Sequence, residues 1–101
     1  MPTPFGVYHN VTNIEFITRY TLRLTFDDKT HQVIDFEPVL AGPIFGPLRD
    51  YQLFNQVQVN KDTGTIEWSN GADFNPVVLH DWPEYKDKIS AERRYRYAVL
   101  P

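Results

Sequence analysis

The part of the chain that comes closest to catalytic chemistry is His80-Asp81, with Asp73 a few residues earlier. A carboxylate beside an imidazole orients the ring and adjusts its proton affinity, which is what general acid–base catalysis requires. Successive residues of a helix do not face each other, however, and no serine or cysteine nucleophile occupies a strained turn. We interpret His80 as a residue of the surface or of a helix end. We predict no catalytic residue and keep an enzyme as a remote alternative.

The other groups that could hold a metal ion are scattered along the chain. A site made from all three histidines, His9, His31 and His80, would depend on the fold to bring them together. We interpret Asp27 and Asp28 as an exposed hairpin tip, and one pair of carboxylates is weak evidence for calcium. The chain has no cysteine, which excludes a thiolate zinc site. We therefore predict no metal and no cofactor.

Basic residues cluster near the C-terminus, where residues 86–96 hold half of the 10 lysines and arginines of the chain, interleaved with tyrosines. One interpretation is a solvated helical face, and the other is a surface that binds a partner protein, a second copy of the chain or a nucleic acid. The net charge of -3 argues against general nucleic-acid binding, which usually shows a basic excess. The candidate partner-binding residues are Lys86, Lys88, Arg93, Arg94, Tyr95, Arg96 and Tyr97.

The composition suits one small folded domain. A chain of 101 residues has room for a single core, and 42% hydrophobic residues are enough to form it. We expect an N-terminal arm at 1–10, an α+β domain at 11–82 and a basic, aromatic C-terminal extension at 83–101. The N-terminus lacks the basic and apolar regions of a secretory signal, and no apolar run reaches the roughly 18 residues of a membrane span. These features favour a cytoplasmic protein that does not bind membranes.

Alternation of apolar and polar residues predicts five strands. The clearest alternation is at residues 20–26, preceded by a first strand near 11–17 and followed by a third at 31–37. Two further strands at 57–59 and 66–68 form a hairpin, closed by a glycine in the left-handed region. Helical spacing lies between the two groups of strands, in a helix from Pro47 to Asn55. Val77 to Leu79 form a short capping helix, and another is expected from Glu84 to Arg94.

The turn after the last strand has a special geometry. Asn70-Gly71 predicts a glycine at positive φ, and Asn75-Pro76 predicts a helix cap followed by a proline at the first helical position. Asp73 is expected to form a turn or to cap the amides of residues 75–76. Trp68 alternates with a buried position and should lie in the core. The structural motif therefore consists of Trp68, Asn70, Gly71, Asp73 and Pro76.

Together these segments resemble a bacterial family known as "domain of unknown function 2442", over about residues 10–80. The resemblance implies a small α+β fold with a curled antiparallel sheet and one packed helix. The residue pattern gives about five strands in βββαββ order. Two positions depart from the family pattern, since Lys29 replaces a usual glycine and Ser69 a usual proline. The residues that carry the resemblance are Phe26-Asp27-Asp28, Asp35-Phe36-Glu37-Pro38-Val39-Leu40, Gly46-Pro47-Leu48-Arg49-Asp50, Phe54, Gly64-Thr65-Ile66-Glu67-Trp68-Ser69-Asn70-Gly71-Ala72-Asp73, Pro76 and Leu79.

The resemblance implies little about activity. Some members look fused to a helix-turn-helix segment, and others look encoded beside another small protein in the manner of toxin–antitoxin pairs. Because these are associations and not mechanisms, they only suggest a class of function. We expect a non-catalytic protein–protein interaction or regulatory module, such as the antitoxin-like half of a two-protein system. The alternative is a dimeric regulator that binds nucleic acid through residues 86–96.

Overall fold

The computed structural model describes residues 9–97, with side chains as far as Arg93. Its first sheet has three antiparallel strands, β1 (Val11–Thr18), β2 (Thr21–Phe26) and β3 (His31–Asp35), with β2 in the centre. Side chains of β2 alternate between buried and half-buried, so one face of this sheet covers the core. This is the pattern that the sequence predicts for residues 20–26.

A tight turn at Arg19-Tyr20 joins β1 to β2. Tyr20 has a φ of 61°, in the left-handed region that residues other than glycine rarely adopt. Its ring meets those of Tyr51 and Phe54 edge-on, with centroids 5.8 and 5.2 Å away, and its hydroxyl donates a hydrogen bond to the carbonyl of Arg49. Contacts with a distant segment therefore hold this turn.

The second sheet is a hairpin of β4 (Gln58–Asn60) and β5 (Thr65–Glu67). Its loop closes at Gly64, which has a φ of 74° as the sequence predicts. The expected α+β fold with five antiparallel strands is confirmed, but the single curled sheet is wrong. The strands form separate sheets of three and two, because within residues 9–97 neither β4 nor β5 pairs with β1, β2 or β3.

The prediction of one continuous helix from Pro47 to Asn55 is also wrong, because the segment is interrupted. The chain makes a short helix α1 (Gly42–Phe45), a 3-10 turn at Gly46–Arg49 and a second short helix α2 (Tyr51–Phe54). Asp50 interrupts them with an extended ψ of 110°, and its carboxylate accepts a hydrogen bond from the Gln52 amide. Asp50 acts as an N-cap, so its preference for a helix start outweighs continuation of the helix.

Two helices end the described chain, α3 (Pro76–His80) and α4 (Trp82–Tyr97). The expected cap is present, since the Asn75 side chain accepts a hydrogen bond from the Val77 amide at 2.8 Å. Asp81 has non-helical backbone angles and separates the two helices. α4 begins earlier and ends later than the predicted helix at 84–94. No helix among residues 9–97 has the length and apolarity to cross a membrane.

The core is built around an aromatic cluster. Phe36 is fully buried, and its ring centroid lies 5.5 to 6.1 Å from four other rings. Trp68 is only 2% exposed, and its indole N–H donates a hydrogen bond to the Phe54 carbonyl at 2.9 Å. The cluster therefore joins the end of β3, where Phe36 follows the strand, to α2, α4 and the segments on either side of the Asn70-Gly71 turn. Its members are Phe36, Phe54, Trp68, Phe74 and Trp82.

Candidate functional site

An open groove of about 390 Å³ lies between β3 and the first half of α4. We call it the edge groove. β3 is the last strand in the order of its sheet, so the groove follows the sheet edge. The residues that matter for its chemistry are Val33 and Asp35 from β3, and Trp82, Lys86 and Asp87 from α4.

The backbone of β3 has unpaired groups along this edge. The Phe36 amide donates to the Tyr20 carbonyl at 2.8 Å, and the Phe26 amide donates to the Thr30 carbonyl at 2.9 Å. Along a strand of an antiparallel sheet, the backbone groups of successive residues point alternately to one side of the strand and to the other. The even-numbered residues of β3 therefore bond to β2. The amides and carbonyls of Val33 and Asp35 therefore point towards the groove, and no backbone group of residues 9–97 pairs with them.

Val33 makes the groove partly apolar. At 60% it is the most exposed of the large hydrophobic side chains in the described part of the chain. It lies on the outer face of the sheet, opposite Arg23 in the register of β2 and β3. An unpaired edge strand with an exposed apolar residue can pair with a strand of another chain, and proteins usually cover or block such an edge.

The predicted partner-binding residues have three different positions. Lys86 lines the edge groove, and Lys88 is exposed on α4. Arg93 is half-buried, donates a hydrogen bond to the Val39 carbonyl at 2.8 Å and lies 4.2 Å from the centre of the Phe45 ring. The expectation that Arg93 is solvated is therefore wrong, because the cation packs on the core. The side chains of four other candidates lie outside the described residues, namely Arg94, Tyr95, Arg96 and Tyr97.

The structural motif takes the predicted shape at most positions. Gly71 has a φ of 91°, and the Asn70 side chain accepts a hydrogen bond from the Ala72 amide at 3.1 Å. Pro76 is the first residue of α3. Asp73 differs from the prediction, since it is exposed and pairs through its backbone with Glu67. Within residues 9–97 its carboxylate forms no hydrogen bond to a backbone amide of residues 75–76. Pro76 has no amide hydrogen, and Asn75 caps α3 by accepting from the Val77 amide.

A second group of side chains, which we call the histidine cluster, consists of His9, Asp28 and His80. His80 Nε2 lies 2.8 Å from Asp28 Oδ2, and His9 Nδ1 lies 3.7 Å from the same oxygen. The two imidazole rings stack with centroids 4.7 Å apart. These residues are separated by up to 71 positions in the sequence, which the sequence reasoning treated as scattered.

Asp81 orients His80 within the cluster. His80 Nδ1 lies 2.9 Å from Asp81 Oδ1. The argument that adjacent helical residues cannot meet fails here, because α3 ends at His80 and Asp81 leaves the helix. Burial alone would lower the pKa of His80, but the hydrogen bonds to Asp81 and Asp28 outweigh burial and raise it.

The turn between β2 and β3 orients Asp28. Its Oδ1 accepts hydrogen bonds from the Thr30 amide at 3.1 Å and the Thr30 hydroxyl at 2.6 Å. Oδ2 is thereby left for His80 and His9. Burial would raise the pKa of Asp28, yet the hydrogen bonds from Thr30 and His80 outweigh it and hold the pKa well below its usual range.

Backbone pairing of the N-terminal arm explains why His9 reaches the cluster. The Asp27 amide donates to the Asn10 carbonyl, and the Val11 amide donates to the Gly64 carbonyl, both at 2.9 Å. His9 Nδ1 also lies 3.1 Å from Asp27 Oδ1. The sequence gives no signal for this placement, because residues 1–10 show no alternation that would predict where the arm lies.

Comparison with known proteins gives a family and no role. The family model described as "Protein of unknown function (DUF2442)" matches residues 11–84. No curated protein matches the chain, and no solved structure matches it. The resemblance that the sequence suggested is confirmed, while the choice of function depends on the geometry described above.

Proposed function

Since the chain belongs to the DUF2442 family of proteins of unknown function, we propose its role from the geometry of the edge groove. The protein is a non-catalytic interaction module. It binds an extended segment of a partner protein as an additional strand along β3. The observation that carries the proposal is the unpaired, partly apolar edge of β3 beside α4.

Addition of a strand to a sheet edge is a common way of binding extended peptides. Backbone hydrogen bonds supply affinity, and here the amides and carbonyls of Val33 and Asp35 are available for them. Side chains of the added strand point alternately to the two faces of the sheet. Every second residue of the segment would thus lie beside Val33, and the residues between would approach α4.

The chemistry of the groove indicates what the segment should contain. Val33 favours an apolar side chain beside it, since burial of its exposed surface stabilises the complex. In the part of the segment that faces α4, Lys86 favours an acidic residue and Asp87 a basic one. The β3 strand has five residues, so a bound segment needs about that length. The antitoxin-like role implied by the family resemblance fits a partner of this kind.

Binding of nucleic acid through residues 86–96 is the alternative. It has less support, because Arg93 packs on Phe45 and Val39 and is taken up in the fold. Lys86 and Lys88 are exposed cations of this segment, and they equally suit an acidic peptide. The two functions differ in salt dependence, since counterion release makes binding to nucleic acid fall steeply with salt.

Val33→Pro tests the proposal. Proline has no amide hydrogen, so the variant loses a donor that faces the groove while the bonds from β3 to β2 remain. We expect that the immobilised full chain captures a stoichiometric partner protein from its native host, and that Val33→Pro reduces this capture about tenfold or more. Unfolding curves of the variant check that it folds.

The matched control is Phe16→Pro on β1, the opposite edge of the same sheet. Phe16 lies opposite Leu22, which bonds to β3, so the Phe16 amide points away from β2, and the side chain is 48% exposed. This variant should capture the partner as the unmodified chain does. Equal capture by Val33→Pro and the unmodified chain would refute strand addition at β3. Capture of nucleic acid, lost at high salt and unaffected by Val33→Pro, would favour the alternative.

A further inference from the structure

We propose that the chain binds one zinc ion at the histidine cluster, with His9, Asp28 and His80 as protein ligands and water in the fourth position. The site is separate from the edge groove and does not depend on the proposed function. The family description assigns no metal. The inference departs from the prediction from sequence, which treated the histidines as scattered and expected no metal.

The distances suit a tetrahedral ion. One ligand atom from each of the three residues lies within 4.8 Å of the other two. Bonds of about 2.0–2.1 Å to zinc at tetrahedral angles place ligand atoms roughly 3.3–3.4 Å apart. The separations of 2.8 Å and 3.7 Å from Asp28 Oδ2 to the two histidine nitrogens lie on either side of this value. The coordinating nitrogens of His9 and His80 lie within 4.8 Å of each other, so side-chain movements that bring them to this spacing would complete the site.

The surroundings of each ligand orient the atom that would coordinate. Asp81 Oδ1 accepts from Nδ1 of His80, which leaves Nε2 directed at Asp28. A carboxylate behind a histidine ligand is a common feature of zinc sites, because it fixes the ring and raises its basicity. Thr30 holds Oδ1 of Asp28, so Oδ2 is the oxygen that faces both imidazoles.

The charge around the cluster favours a divalent cation. Carboxylates of Asp27, Asp28 and Asp81 lie within 3.1 Å of an imidazole nitrogen of His9 or His80. Zinc would replace the proton that His80 Nε2 shares with Asp28. Two nitrogen ligands and one oxygen ligand suit zinc better than calcium or magnesium, which prefer oxygen.

An ion can also reach the cluster. The side chains of His9 and Asp28 are 24% and 25% exposed, and that of His80 is 13% exposed. A cleft of about 270 Å³ lies beside His80 and is lined by Thr30, Gln32 and Glu84. The coordinating atoms are thus reachable from solvent without opening of the core.

Bound zinc would connect three separate parts of the fold. His9 belongs to the N-terminal arm, Asp28 to the turn between β2 and β3, and His80 to the end of α3. Because an ion that binds only the folded state stabilises it, zinc should raise the melting temperature of the protein. The site would therefore attach the arm to the domain.

The experiment is a calorimetric titration of Zn²⁺ into the full chain, prepared without an affinity tag and freed of metal with a chelator. We expect one zinc ion per chain. His9→Ala and His80→Ala should each weaken binding about tenfold or more. His31→Ala is the matched control, because His31 is exposed and its ring contacts Thr25 outside the cluster. It should bind zinc as the unmodified chain does.

A second measurement separates coordination from a general loss of structure. Nuclear magnetic resonance of the imidazole groups should show that zinc shifts the signals of His9 and His80 and leaves those of His31 unchanged. Asp81→Asn should weaken zinc binding about tenfold while one ion still binds, as for a residue that positions a ligand. The proposal is refuted if the unmodified chain does not bind zinc, or if His31→Ala weakens binding as much as His80→Ala.

Discussion

The aromatic cluster and the histidine cluster both join distant parts of the chain, but they use different forces. Around Phe36, rings from several elements exclude water and gain stability from buried apolar area. Around His80, a few directional contacts between polar groups fix the end of α3 to the first sheet. The histidine cluster meets the hydrophobic core where the ring of the buried residue Phe26 contacts His80, with centroids 5.0 Å apart.

In this small domain, the residues that contribute most to stability and the residues that could bind a ligand therefore lie in different regions. A polar substitution in the aromatic cluster would bury a polar group at a cost in stability. The indole N–H of Trp68 is already bonded to the Phe54 carbonyl. The histidine cluster holds few apolar contacts, so its loss should cost less stability. Substitutions in the aromatic cluster should therefore lower the free energy of unfolding several-fold more than substitutions in the histidine cluster.

Trp68→Ala should have the largest effect. We expect a loss of about 3–5 kcal/mol, because the substitution removes a buried indole and leaves the Phe54 carbonyl without its donor. Urea unfolding followed by circular dichroism measures it. Trp68→Phe is the control, since it keeps an aromatic ring without the donor and should lose less. A loss below about 1 kcal/mol for Trp68→Ala would show that the cluster is not the main source of stability.

Gly64→Ala should have the next largest effect, because this glycine connects the core to the histidine cluster. A φ of 74° costs alanine about 1–2 kcal/mol, and its Cβ would lie 2.2 Å from Oδ1 of Asn10. Asn10 must then move, and His9 adjoins it in the chain. Thermal unfolding should show that Asn10→Ala in the same chain recovers part of the loss. Equal stability of the single and double variants would contradict this contact.

Gly71→Ala should cost less than Gly64→Ala. Its φ of 91° imposes the same backbone strain, but apart from its chain neighbours no atom of residues 9–97 would lie within 4 Å of a Cβ at Gly71. We expect a loss on the order of 1 kcal/mol from the backbone alone. Urea unfolding of the two glycine variants under the same conditions measures the difference in their free energies of unfolding. That difference is the cost of the steric contact at Gly64. Stability unchanged by Gly71→Ala would show that the turn does not need a left-handed residue.

The smallest effect is a pH dependence of the metal-free protein. The raised pKa of His80 stabilises the fold below about pH 6.5, and this contribution falls as the pH rises through the raised value. The lowered pKa of Asp28 stabilises the fold above about pH 4, and that contribution is lost as the pH falls. His80→Ala should thus destabilise most between these limits, where Asp28, Asp81 and His9 face a charged ring.

Urea unfolding at several pH values in the presence of a chelator tests this dependence. His31→Ala is the control, and its difference from the unmodified chain should be much flatter with pH. A stability difference for His80→Ala that stays constant from pH 4 to about pH 9 would contradict the raised pKa and the contact with Asp28.

Sequence patterns predicted the regions held by packing better than the region held by polar contacts. Alternation at residues 20–26 predicted burial of Leu22 and Leu24, and Asn70-Gly71 predicted a positive φ, because both depend on local geometry. The interruption of the helix at Asp50 was not predicted. Whether an aspartate caps a new helix or continues the preceding one depends on what the next turn packs against. The division into two sheets was missed for the same non-local reason.

The histidine cluster could not be predicted from the sequence. Its members come from the arm, a turn and a helix end, and no periodic pattern relates these positions. The one local clue was His80-Asp81, which the sequence reasoning set aside because helical neighbours do not meet. Recognition that Asp81 lies after the last residue of α3 would have changed that conclusion.

The turn at Tyr20 bears on the order in which the protein folds. Two-residue hairpin turns favour asparagine and glycine at positive φ, so a tyrosine at 61° makes the pairing of β1 and β2 unfavourable by itself. The contacts that compensate come from Phe54, Tyr51 and the Arg49 carbonyl, about 30 residues later. We therefore expect that the first hairpin does not fold by itself. Its two strands should pair only when the segment around α2 packs against Tyr20. Folding then depends on closure of a long loop.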